Sequence, residues 1–129
     1  MSQLRADAIV DADGTGAPEF TNGLSSQGTI KLDGNYPVGT GNVALGNASL
    51  DSGSLSGNYN TSIGNTALTD NTSGSSNVAV GYGSQANTTT GGSNTTVGTN
   101  SLEANTTGDN NTAVGTQALN DNTVGSNNT

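Results

Sequence analysis

The chain has 129 residues, a formal net charge of −8, and neither cysteine nor histidine. Asn, Thr, Ser and Gly number 19, 20, 15 and 20, together 74 of the 129 residues, while 29% of the chain is hydrophobic and 3% aromatic. That is too little apolar matter for a compact monomeric core, and the missing residue types exclude Ser-His-Asp and Cys-His nucleophile systems and thiolate metal sites.

Residues 1–41 do not repeat. Residues 6–10 (Ala-Asp-Ala-Ile-Val) read as a short strand, and residues 11–18 as turns built from Asp, Gly and Pro. Asp11 and Asp13 stand in a Gly-rich turn, but the distal Glu and third Asp of a calcium loop are missing, so a solvated turn is expected and no metal site. Gly14 and Gly16 are followed by no lysine, so they form no phosphate loop. Asn22 and Gly23 are a tight-turn dipeptide, and residues 28–33 alternate polar and apolar as a half-buried strand does. Phe20, Tyr36, both prolines and the only basic residues, Arg5 and Lys31, lie in this part. Such distinct side chains suit a docking segment, and Phe20 and Tyr36 are its candidate attachment residues.

From Asn42 onward one phrase recurs. Asn42, Asn60, Asn77, Asn94 and Asn111 open five copies, at successive offsets of 18, 17, 17 and 17, and Asn128 opens a sixth. A fixed period near 17 is a solenoid signature. The third residue after each Asn is aliphatic (Leu45, Ile63, Val80, Val97, Val114) and the fourth is glycine (Gly46, Gly64, Gly81, Gly98, Gly115). Valine, isoleucine and threonine in the opening residues favour strand, and the glycines that follow end it. A second glycine, at Gly57, Gly74, Gly91, Gly108 and Gly125, marks a second turn. Each repeat is therefore expected to hold two strands of about five or six residues in one coil of a parallel β-solenoid, with coils stacked at about 4.8 Å. The recurring asparagines are expected to form a structural ladder, and the aliphatic column to be buried between coils or between chains. About two aliphatic side chains per coil cannot offset the ordering of the whole coil, so an obligate homo-oligomer is expected.

The phrases Asn60-Thr-Ser-Ile-Gly-Asn-Thr-Ala-Leu68 and Asn111-Thr-Ala-Val-Gly-Thr-Gln-Ala-Leu119 resemble the repeats of phage tail fibres. They are also similar to the head repeats of trimeric autotransporter adhesins, in which Asn-x-Val-Ala-Ile-Gly marks one coil of a parallel β-roll; those repeats are usually shorter than the period seen in this sequence. Residues 6–24 look like the N-terminal segment of phage fibre and other virion proteins. The resemblance implies an all-β fold, a homotrimeric fibre of 17-residue β-roll coils over residues 42–129, preceded by an irregular N-terminal attachment segment, residues 1–41. It implies a structural protein of the virion, not an enzyme, assembled in the host cytoplasm and used in host adsorption. Residues 1–41 would bind other virion proteins of the tail, baseplate, neck or capsid. A host surface glycan or protein would be met by a distal part beyond Thr129, since nothing after Gly125 resembles a cap. The start of the chain lacks the apolar stretch of a secretory signal, which favours the phage reading over a bacterial trimeric surface adhesin. An ice-binding β-solenoid is a third reading, resting on the regular threonines. No cofactor is expected. Two basic residues make no phosphate-binding patch, so nucleic acid is not a partner. No apolar run approaches the length of a membrane-spanning helix, so neither is a membrane.

Overall fold

The computed structural model describes residues 39–129. They form an all-β solenoid whose coils match the period of the repeat. The strands are β1 (Val43–Leu45), β2 (Thr61–Ile63), β3 (Val78–Val80), β4 (Thr95–Val97) and β5 (Thr112–Val114), stacked in chain order as one parallel sheet. The register follows the repeat: Val43 lies beside Thr61, Thr61 beside Val78, Val78 beside Thr95, and Thr95 beside Thr112. Equivalent residues therefore stand in columns along the stack. The ladder is regular in both directions. Thr61, Val78 and Thr95 donate their N–H to Asn77, Asn94 and Asn111 carbonyls at 2.8 Å, and Gly81, Gly98 and Gly115 donate to Ile63, Val80 and Val97 carbonyls, also at 2.8 Å.

Two strands of five or six residues per coil were expected. Each coil has one strand, of three residues. The reason lies in the backbone of the second half. Leu50, Leu68, Gln85, Leu102 and Leu119 all take left-handed angles, φ between 49 and 53°, as do Thr66, Asn100 and Gln117 two residues earlier in their coils. A left-handed residue interrupts a strand and is costly for a side chain larger than glycine. All but Leu119 are held by a bond from their N–H to the neighbouring coil: Leu50 N–H reaches the Ala67 carbonyl at 2.9 Å, Leu102 N–H the Ala118 carbonyl at 2.9 Å, and Asn100 N–H the Tyr82 carbonyl at 2.8 Å. The stacking satisfies the backbone without a second strand.

Both glycine columns lie too close to the next coil to accept a Cβ, and the first also turns the chain. Gly64, Gly81 and Gly98 have φ of 142, 135 and 145°, a conformation closed to other residues, and turn the chain out of the strand. Gly74, Gly91 and Gly108 have ordinary angles. A Cβ on any of them would collide with the carbonyl oxygen of the equivalent glycine in the next coil. The second column is required by close approach between coils.

The interior is thin. Leu50, Leu68 and Leu102 fill it from one side and the strand-centre residues, such as Ala79 and Ala113, from the other. The proposed attachment segment, with Phe20, Tyr36 and the two N-terminal strands, lies outside the described residues apart from 39–41.

Candidate functional site

In a three-residue strand the middle side chain points one way and its two neighbours the other. Here the centres Ser62, Ala79, Thr96 and Ala113 point inward and are buried. Their neighbours face outward. One outer column is Val43, Thr61, Val78, Thr95, Thr112; the other is Leu45, Ile63, Val80, Val97, Val114.

The second of these is the aliphatic column expected to be buried. The chain by itself does not bury it: Leu45 is 48% exposed, Ile63 38%, Val97 43% and Val114 69%, with Val80 half-buried. The pleat is the reason the coils do not bury it: the residue that faces the coil interior is the one before it. No charged residue stands in either outer column. The result is a charge-free strip with an aliphatic side chain at every rung, about 4.8 Å apart.

Inside the coils the five ladder asparagines, Asn42, Asn60, Asn77, Asn94 and Asn111, are buried and fully engaged. The Asn60 side-chain oxygen accepts the Asn77 backbone N–H at 2.9 Å, and that of Asn94 accepts the Asn111 N–H at 2.9 Å. Amide-to-amide bonds run along the stack from Asn94 to Asn77 (3.2 Å), Asn111 to Asn94 (3.0 Å) and Asn128 to Asn111 (2.9 Å). The same amides also reach across their own coil to a glycine carbonyl. Asn60 Nδ2 donates to Gly74 O, and Asn94 Nδ2 to Gly108 O, each at 2.9 Å.

A second set of asparagines was missed in the sequence. Asn71, Asn105 and Asn122 donate to the Gly74, Gly108 and Gly125 carbonyls, at 2.9, 3.0 and 2.9 Å. Each of these glycine oxygens thus receives two side-chain amides. The signal was present as Asn at 71, 105 and 122, but Thr88 interrupts the spacing. A threonine row is also committed internally: Thr72, Thr89 and Thr106 hydroxyls donate to the Thr89, Thr106 and Thr123 carbonyls at 3.0 to 3.1 Å.

The acidic residues Asp51, Asp70, Glu103, Asp109 and Asp121 carry all the formal side-chain charge of the described residues. Among the described residues no group of three or more metal-ligating side chains comes together, and no helix is long and apolar enough to cross a membrane. Large apolar side chains are exposed on the outer face of the sheet and, off the strands, at Tyr59, Tyr82 and Val124. No protein-family model matches the chain, no curated protein matches it, and no solved structure matches it.

Proposed function

We propose that this chain is a structural protein of a phage fibre, a homotrimer whose β-roll coils form a stiff shaft used in host adsorption. The observation that carries this reading is the uncovered aliphatic column of Leu45, Ile63, Val80, Val97 and Val114 on a charge-free sheet face. Valines and leucines exposed at every rung of a sheet are an association surface, and a partner must offer apolar side chains at the same spacing. A second and third copy of this chain do so by construction. Residues 1–41 attach the shaft to other virion proteins. The interior supports a mechanical role, since the asparagine and threonine ladders commit most of their side-chain amides and hydroxyls to the coil-to-coil stack.

The ice-binding reading is weaker on these residues. The regular threonine row donates its hydroxyls to carbonyls, and the outer column that does carry Thr61, Thr95 and Thr112 is interrupted by Val43 and Val78. Light scattering on the purified chain tests the proposal: a particle of about three times 12.6 kDa is expected, and a monodisperse single chain would sink it.

A further inference from the structure

The interior of the solenoid has two facing walls. One is the column of strand centres. The other is the column five residues further along each coil, which contains Ser49, Ala67, Ser84 and Ser101. Each member of the second wall meets the strand centre of the next coil. The Ser49 hydroxyl lies 2.7 Å from the Ser62 hydroxyl. Ala67 and Ala79, in the next pair, are fully buried in one apolar cluster. Ser84 and Thr96, in the pair after that, are hydrogen-bonded hydroxyl to hydroxyl. In these three pairs hydroxyl meets hydroxyl, methyl meets methyl, hydroxyl meets hydroxyl; the fourth pair, Ser101 and Ala113, is mixed, and the Ser101 hydroxyl turns to the Gly98 carbonyl of its own coil at 3.0 Å. Gln85 strengthens the third pair. It stands where the neighbouring coils have Leu68 and Leu102, and its amide donates to Thr96 Oγ1 at 3.0 Å and to the Val78 carbonyl at 2.9 Å. Its own oxygen is buried without a partner, so stability alone does not explain a glutamine there.

We infer that this like-with-like pairing fixes the order in which the coils stack. The backbone ladder cannot do so. The ladder asparagines and both glycine columns are the same in every coil, so if one coil were expelled as a loop its neighbours could pair through the same kinds of ladder bond, at the loss of one coil's rung. The walls forbid it. Without residues 60–76, Ser49 would face Ala79. Without residues 77–93, Ala67 would face Thr96. Without residues 94–110, Ser84 and Gln85 would face Ala113. Each skip of an inner coil sets a buried polar group against a methyl and forfeits a hydrogen bond. A buried polar position is known to fix register in this way in coiled coils. A chain built from near-identical coils needs such a device, and more so when several copies assemble side by side.

Thermal unfolding at fixed protein concentration tests the inference in two ways. In the full chain, Ala79→Ser should lower Tm by a few degrees, and adding Ala67→Ser should recover at least half of that loss. Simple addition of the two single effects would overturn the idea. In the second test Thr96→Ala is made both in the full chain and in a chain lacking residues 77–93. It should lower Tm in the first and raise it in the second, where it restores a methyl opposite Ala67. The same direction in both backgrounds would overturn the idea. If the shortened chain fails to fold, the Ala67/Ala79 comparison decides alone.

Discussion

Asn94 and Asn105 donate their side-chain amides to one oxygen, the carbonyl of Gly108, at 2.9 and 3.0 Å. Asn94 lies before the coil's strand and Asn105 after the left-handed Leu102, so the two amides draw opposite sides of the coil onto a single point. Gly108 returns the bond to Asn105, its N–H reaching Oδ1 at 3.0 Å. The corner is closed by side chains where a second strand would otherwise have closed it.

Removing one arm of this clamp has a definite outcome. Asn94→Ala takes away the acceptor for the Asn111 backbone N–H and one donor to Gly108 O, in a fully buried place. A buried group left unpaired costs about 1–3 kcal/mol, so a fall in denaturation free energy of that size is expected for each assembled chain. Asn94→Asp should be worse at pH 7, because the carboxylate is buried and faces a carbonyl oxygen it cannot donate to. Burial raises the pKa of such a group in the folded state above its unfolded value of about 3.9. The protonated form therefore folds best, and the penalty grows as pH rises above that value. Urea melts of both variants at pH 4 and pH 7 check the sign.

The glycines divide by neighbourhood. A Cβ at Gly108 would run into the Gly125 carbonyl, whereas one at Gly53 meets nothing within 4 Å. Gly108→Ala should destabilise by several kcal/mol, since backbone cannot retreat from backbone without breaking the stack. Gly53→Ala should be neutral or stabilising by about 0.4–1 kcal/mol through the unfolded chain. Equal melting temperatures for the two variants would show that coil-to-coil contact at Gly108 is not tight.

One backbone cap is missing, and supplying it should help. At the position two residues before each ladder asparagine, a side chain accepts an N–H from the coil before. Ser75 Oγ serves Asn58 at 3.0 Å, Asp109 Oδ1 serves Gly92 at 2.7 Å, and Ser126 Oγ serves Asp109 at 3.0 Å. Gly92 holds this position in its own coil and offers Ser75 no side-chain acceptor. Its φ is not in the left-handed region, and the nearest neighbour of an added Cβ is the Ser75 carbonyl at 3.0 Å, a contact that needs a small shift. Gly92→Ser should therefore raise stability by about 0.5–1.5 kcal/mol, read as a higher midpoint in urea.

The sequence reveals columns more readily than directions. The period, the ladder asparagines and the two glycine columns were legible because identical residues recur at identical spacing, and stacking places them together whatever the coil's shape. The sides of the coil were not legible. With a strand of only three residues, alternation has one inward position, and Ala79 or Ser62 is too small to announce it. The larger Val80 and Ile63 drew the expectation of burial instead. The second strand was misjudged for a related reason. Leu50, Leu68 and Leu102 look like strand residues, and nothing in a leucine signals φ near 50°; that conformation is imposed by the neighbouring coil. Asn71 and Asn105 were hidden by Thr88, which breaks the spacing between them.

The outer column is the face on which the proposed trimer would form. Val97 is 43% exposed on a face without charge, and its removal from water in the chain alone is incomplete. Val97→Asp adds a charge there without touching the coil interior, where Thr96 points the other way. If copies of the chain meet on this face, the carboxylates are buried against apolar side chains and against one another, which costs several kcal/mol per interface. The expected outcome is loss of the oligomer in light scattering. Thr95→Asp lies in the other outer column, two residues away on the same strand face. It should weaken assembly less, because that column already tolerates a hydroxyl at three of its five rungs. An intact oligomer with Val97→Asp would mean that copies of the chain do not meet on the sheet face, and equal losses for the two variants would mean that the aliphatic column holds no special place in the contact.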